Sequence, residues 1–237
     1  MANKIILDKL LSVDWDFFFP IPEDDIAALY DWGHNENIPF MSNGIWEFRA
    51  SSFIRSVIPL PRTNGEENNF WQRFTFQDNT TLYYSDSHCR VFNQLVLKGI
   101  DIIWNFDAHH DAYHSIKEVE KQGKVTCDNW VTAVIMNDIK VKNFFPKWKT
   151  WDMKGKVSIP YQKDNGKKFH ESFQKIFICR SGAWTPTWIE DSFWQFINAC
   201  PVSNKVNLDN IIPRVFSENN VKEQIKVINT LMNNKVE

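Results

Sequence analysis

Ile100-Asp101-Ile102-Ile103-Trp104-Asn105-Phe106-Asp107-Ala108-His109-His110-Asp111 decides how the rest of the chain is read. The stretch from Ile100 to Phe106 is mainly apolar and β-rich, the pattern of a central parallel strand covered on both faces. It runs without a break into Asp-x-His-x-Asp. Residues i, i+2 and i+4 of an extended segment share a side. Asp107, His109 and Asp111 are therefore expected to converge, with His110 facing away. Carboxylate together with imidazole suits zinc, manganese or iron.

A second run of this kind lies near the start. Lys9 to Trp15 reads as a buried strand ending in acids, with Asp14 and Asp16 two residues apart and expected to point the same way. Side-by-side carboxylates are costly unless a cation sits between them. A phosphatase that uses Asp-x-Asp as nucleophile and acid needs a Ser or Thr soon afterwards, and Phe17-Phe18-Phe19-Pro20 follows instead. His88 stands just after a strand, at an expected helix start, and adds a second nitrogen donor. Asp14, Asp16, His88, Asp107, His109 and Asp111 together suit two divalent ions with bridging carboxylates, a pair that activates water and polarises a substrate. This oxygen-rich, thiol-free set favours manganese over zinc.

Working outward, strands are expected at Val141–Phe145, stopped by Pro146, and at Lys175–Cys179. Phe74–Tyr84, broken by the turn signal Asp78-Asn79, reads as a hairpin or two short strands. Helical patterns cover Glu23–Trp32 behind Pro22, Ser87–Lys98 before Gly99, Asn129–Asn137, Thr187–Ala199 before Pro201, and Val221–Met232. Ile45–Ile58 fits either state. Strands alternating with helices predict a three-layer α/β/α fold, a doubly wound and mainly parallel sheet. With no internal repeat or low-complexity linker, the 237 residues are read as a single domain, 1–237. Ligands of such sheets bind beyond the carboxyl ends of the strands, where these acids lie.

Bulk properties narrow the partners. With 27 basic and 29 acidic residues, neither nucleic acid nor an anionic membrane is expected as the main partner. Lys140, Lys142, Lys147, Lys149, Lys154 and Lys156 read as a solvated face. Cys89, Cys127, Cys179 and Cys200 form no Cys-x-x-Cys pair and no disulfide framework, which suits a reducing cytoplasm. Charges interrupt the apolar start, so no signal peptide is read there, and no segment approaches the roughly 18 apolar residues of a membrane span. Only 8 Gly occur, without a phosphate-cradling loop, so nucleotide chemistry is not indicated. The 11 Trp and 19 Phe belong mostly in a core, and a surplus at the surface would suit a groove for a peptide or a cation.

Asp107-Ala108-His109-His110-Asp111 resembles the Asp-Ala-His-x-Asp signature of the arginase and agmatinase superfamily. Ser12 to Pro20 resembles its Ser-x-Asp-x-Asp-x-x-Asp-Pro signature, with Phe19 in place of the last acid. Asp86-Ser87-His88 is similar to the family's Gly-Gly-Asp-His region, without the glycines and with the histidine one place later. A closer likeness is to a divergent branch that includes the peptide arginases, which turn arginine residues of ribosomally made precursor peptides into ornithine. Asp128-Asn129-Trp130, Pro146-Lys147-Trp148, Arg180-Ser181 and Trp184-Thr185-Pro186 resemble segments of that branch. The order differs, because in the superfamily the Asp-x-Asp strand follows the Asp-x-His-x-Asp strand and here it comes first. A circular permutation produces this order, and a doubly wound sheet with nearby termini permits it.

The resemblance implies that His88 and Asp111 hold one manganese ion, that His109 and Asp16 hold the other, and that Asp107 and Asp14 bridge. It also implies attack of activated water on a guanidinium carbon of a precursor peptide, giving ornithine and urea. A carboxylate should grip the planar guanidinium through two hydrogen bonds. Asp128 is the first choice, with Glu47 and Glu190 as alternatives. His110 and His114 are candidates for the proton shuttle, and Trp130 and Trp184 for walls of the guanidinium site. Two other functions suit the same residues: a single-zinc amide hydrolase such as a deacetylase, and a non-catalytic peptide-binding module. The oligomeric state is left open.

Overall fold

A computed structural model describes residues 7–20, 39–150 and 154–233. The expected helix at Glu23–Trp32 lies outside the described residues. Seven strands form one sheet: β1 (Lys9–Asp14), β2 (Thr75–Ser85), β3 (Ile102–Phe106), β4 (Lys140–Phe145), β5 (Tyr161–Lys163), β6 (Ser172–Cys179) and β7 (Asn204–Asn207). Their order is β5-β4-β3-β1-β6-β2-β7, and every neighbouring pair is parallel. The helices are α1 (Pro39–Arg55), α2 (Gln94–Leu97), α3 (Ile116–Gln122), α4 (Trp130–Ile135), α5 (Glu190–Ala199) and α6 (Glu218–Asn233). They flank the sheet on both faces, which is the α/β/α architecture expected from the alternation of patterns.

Alternation along the strands divides the core in two. Leu11, Val13, Trp104, Phe106, Phe144, Ile176 and Ile178 pack with Phe17, Phe18 and Phe70 and with Phe193 and Phe196 of α5. Leu10, Ile103, Val141, Phe177 and Cys179 face the other way, toward Val91, Val96 and the α4 residues Trp130, Val131 and Val134. The first cluster is an aromatic one. Phe106 stacks on Phe144 at 4.4 Å and meets Phe70 and Phe74 edge-on at 5.3 and 5.5 Å. These offset and edge contacts are the arrangements that ring quadrupoles favour. The aromatic surplus is thus spent inside. Among the described residues, only Phe48, Phe92, Tyr113 and Tyr161 are exposed aromatics.

Four local expectations change. Phe74–Tyr84 is neither a hairpin nor two strands but part of the single strand β2. The Asp78-Asn79 signal is absorbed where the β2–β6 register shifts between Phe76 and Thr81, an irregularity that leaves parallel pairing intact on both sides. Ser87–Lys98 is not one helix. Ser87 caps a 3-10 turn, His88–Val91, and Asn93 caps α2, so two N-caps divide the segment. Ile45–Ile58 resolves into α1, which ends at Arg55. Lys149 does not belong to a solvated face: it is fully buried, its ammonium donating to the Ala108 carbonyl.

Candidate metal centre

The register of the three central strands builds the site. Val13 pairs with Phe106 across β1 and β3, so Asp14 and Asp107 stand side by side one residue further on. Asp14 also pairs with Cys179 across β1 and β6. Asp107, Asp14 and Cys179 therefore form one row at the carboxyl edge, with a strand spacing of about 4.8 Å. The row two residues earlier is polar as well: Ser12 pairs with Asn105, and Asn105 with Asn143. All three are fully buried.

Beyond the strand ends the chain turns, and the turns do the converging that an extended strand was expected to do. β3 stops at Phe106. The His109 amide donates to Asp107 Oδ1 at 2.6 Å, and Asp111 has a positive φ of 48°. A left-handed backbone at a non-glycine residue is costly, and such strain gathers at functional sites. Asp14 likewise ends β1, caps the 3-10 turn Trp15–Phe18 and accepts from the Asp16 amide at 3.1 Å. The turn sends Asp14 and Asp16 to different places.

One place centres on His88. Its Nδ1 lies 3.1 Å from Asp14 Oδ2, 3.3 Å from Asp107 Oδ2 and 3.5 Å from Asp111 Oδ2. Ser12 Oγ is 2.8 Å from its Nε2, leaving Nδ1 to face the acids. The ring is stacked on Trp130 at 4.5 Å and Phe177 at 5.6 Å. The indole N–H of Trp130 donates to Asp111 Oδ2 at 2.6 Å. The other place centres on His109, whose Nδ1 lies 2.7 Å from Asp16 Oδ2 and 3.9 Å from Asp107 Oδ1. The Ala108 amide donates to Asp16 Oδ1 at 3.2 Å. Asp107 thus presents one oxygen to each histidine. Its Oδ2 also accepts from Asn105 at 3.1 Å. Ser181, with a φ of 54°, donates from its hydroxyl to Asp14 Oδ2 at 3.1 Å.

The charge state records how crowded this is. Burial, then the charge of Asp16, pushes the Asp14 carboxyl up from 3.8 to about 7. Burial and the charge of Asp107 push Asp111 well above the usual carboxylate range. Burial opposes ionisation of Asp107 too, but the hydrogen bond and charge of His88, then of His109, hold it at about 2. For His88, burial works against the imidazolium and is outweighed by Asp107 and Asp14, so its value rises well above 6.5. His109 is raised likewise, burial being outweighed by Asp16. Without a metal the cluster balances itself with protons. A divalent cation does the same work with four carboxylates ionised and two imidazoles neutral.

The donor geometry fits that cation. Asp16, Asp107 and His109 form one group able to hold an ion, and His88, Asp107 and Asp111 form a second. A third group corrects the thiol-free premise. Cys179 offers its Sγ together with Asp14 and His88, all three within 4.8 Å of one another and all buried. Ser12, Asn105, Asn143, Lys149 and Cys179 escaped a sequence reading that looked only at ligand motifs. For Ser12 and Asn105 a signal exists, since each is a lone polar residue two places before a ligand acid and so on the same strand face.

The other candidates are scattered. Asp128 pairs with His114 at 3.0 Å, both side chains 26% exposed, and accepts from the Thr126 hydroxyl. Partial burial works against the Asp128 carboxylate, and the Thr126 hydrogen bond, then that of His114, hold its carboxyl below its usual value. Glu190 is buried and held by the chain's own cations, Arg180 at 2.9 Å and Arg214 at 2.6 Å, so its carboxylate is not open to a guanidinium from outside. Glu47 is half-buried on α1. The His110 ring accepts from the Ala112 amide at 3.1 Å and touches Tyr113. Trp130 is fully buried behind His88, too deep to wall a substrate. Trp184 is half-buried, with its ring 5.4 Å from His109.

Comparison with known proteins adds no name: no family model, curated protein or solved structure matches the chain. No helix among the described residues is long and apolar enough to cross a membrane.

Proposed function

We propose that this chain is a manganese-dependent hydrolase with a two-ion centre, acting on the guanidinium group of arginine residues in a precursor peptide. The supporting observation is Asp107, whose two oxygens address two separate histidines, with Asp14 and Asp16 completing the halves. A carboxylate addressing two nitrogen donors suits a pair of ions roughly 3.5–4 Å apart, and Asp14, which the resemblance has bridging as well, is assigned to the His88 half, 3.1 Å from that ring. The four carboxylates, which outnumber the imidazoles, suit manganese. When bound, the metals activate water and polarise the substrate carbon.

The residues of the chain divide the remaining tasks. Ser12 fixes the His88 ring, and Asn105 and Ser181 orient Asp107 and Asp14. Trp184 beside His109 offers a flat face for a planar cation. Asp128, partly exposed and ionised, keeps first place as the guanidinium grip, with His114 attached as a proton acceptor or donor. In the overall reaction one water and one arginine residue give one ornithine residue and one urea. The permuted order of the superfamily motifs is supported by the position of β1 between β3 and β6.

The test is to incubate manganese-loaded protein with an arginine-containing peptide and assay urea. Release of urea, lost after chelation, is the expected result. Neither urea nor ornithine from peptides or free arginine, with manganese demonstrably bound, overturns the assignment.

A second reading rests on the compact group Asp16, Asp107 and His109, which suffices for one ion. A single-zinc amide hydrolase would use that half alone. One tightly held zinc per chain, and none in the His88 half, favours this reading.

A further inference from the structure

We propose that Cys179 is a thiolate ligand in the His88 half of the centre, so that the two ion positions differ in softness. The inference rests on the metal-centre reading above and extends it. Cys179 ends β6 and is fully buried. It pairs directly with Asp14 on the neighbouring strand, so both side chains leave the same face of the sheet. On the far side it pairs with Ser85, three residues before His88. Strand register therefore sets the thiol between the Asp14 carboxylate and the strand that leads to His88.

The distances support this. Cys179 Sγ, a His88 ring nitrogen and an Asp14 oxygen all lie within 4.8 Å of one another. Donors around a tetrahedral ion, with metal–sulfur near 2.3 Å and metal–nitrogen near 2.0 Å, sit about 3.5 Å apart. The group needs to contract by at most about 1.3 Å to share one ion. The thiol donates to the Asp86 carbonyl at 3.5 Å, and a thiol is a weak donor. On coordination the thiol proton is released to solvent and the sulfur lone pair forms the metal bond.

The chemical consequence is a gradient across the site. The His109 half offers only oxygen and nitrogen, the donors of manganese. The His88 half adds sulfur, which draws zinc, cobalt or ferrous iron. The two positions would then differ in preference, the deep one leaning toward the softer ion and the outer one toward manganese.

Cobalt(II) titration of the whole chain tests this by absorption spectroscopy. Visible d–d bands report cobalt in the centre whatever its ligands, and a near-ultraviolet charge-transfer band reports a cobalt–thiolate bond. The expected result is both features in the unmodified protein. In Cys179→Ser the charge-transfer band should vanish while the d–d bands persist, and the preference for zinc over manganese should fall on the order of tenfold. The d–d bands without charge transfer in the unmodified protein overturn the proposal and leave the metal centre standing. A charge-transfer band that survives Cys179→Ser also overturns it, since another cysteine then holds the ion. Absence of any cobalt absorption overturns both the proposal and the metal-centre reading. If Cys179→Ser does not fold, the unmodified spectrum alone still decides.

Discussion

The His88 half and the His109 half both present carboxylate and imidazole, the former with the Cys179 thiol beside them, yet sit in different surroundings. His88 is 1% exposed, sandwiched by Trp130 and Phe177 and pinned by the Ser12 hydroxyl. His109 is 21% exposed and lies beside the half-buried Trp184. The deep half is preorganised by packing, so an ion there meets donors already oriented. The outer half is the more open to solvent. Losing the groups that orient a metal ligand typically costs about 10–100-fold in affinity, and here that support is concentrated on one side.

The largest effect should come from the residue the halves share. Asp107→Asn removes the bridging charge from both, and bound metal should fall from two ions per chain to fewer than one by elemental analysis. Retention of two ions would break the shared-centre picture. A smaller, asymmetric effect should separate the histidines. Each alanine variant should lose one ion. His88→Ala should also destabilise the metal-free protein by about 2–3 kcal/mol, because it breaks a buried stacked and hydrogen-bonded group. His109→Ala, nearer solvent, should cost about 1 kcal/mol or less. Equal melting temperatures for the two variants would erase the distinction between deep and outer halves.

A further effect is a dependence on pH. In the folded, metal-free chain Asp14 titrates near 7 instead of 3.8, so between those values the native state binds more protons than the unfolded one. Stability must therefore fall as pH rises from about 4 to about 7. His88, raised well above 6.5, acts in the same direction, its contribution fading as pH passes its folded value. Asp107, held at about 2, acts oppositely but only below about pH 4. Denaturation midpoints at pH 5 and pH 7 with chelator, and again with manganese, measure this. Metal should flatten or reverse the slope. A metal-free protein that is more stable at pH 7 than at pH 5 would contradict the charge balance drawn for the cluster.

Much of the centre was legible because its donors are local motifs on strand ends. Asp-x-His-x-Asp after an apolar run and Asp-x-Asp after another both announce themselves in a few residues. The geometry behind them was not legible. The sequence reading had both motifs extended, whereas turns at Asp14 and Asp107 actually aim the acids. Glu190 read as an available acid because Arg214, its partner, lies 24 residues away. Lys149 read as surface because five other lysines surround it in sequence, although it is buried against Ala108.

The sequence by itself determined the alternation of strands and helices, the aromatic core and the six candidate donors, since periodicity and donor chemistry are carried by neighbours along the chain. Only the tertiary structure decided that β1 lies between β3 and β6. That one placement sets Asp14 beside Asp107 and Cys179, gives Asp107 two histidines to face, and brings a thiol to a site read as having none. Strand order and register are set by which faces bury together across the whole domain, and no window of sequence contains that sum.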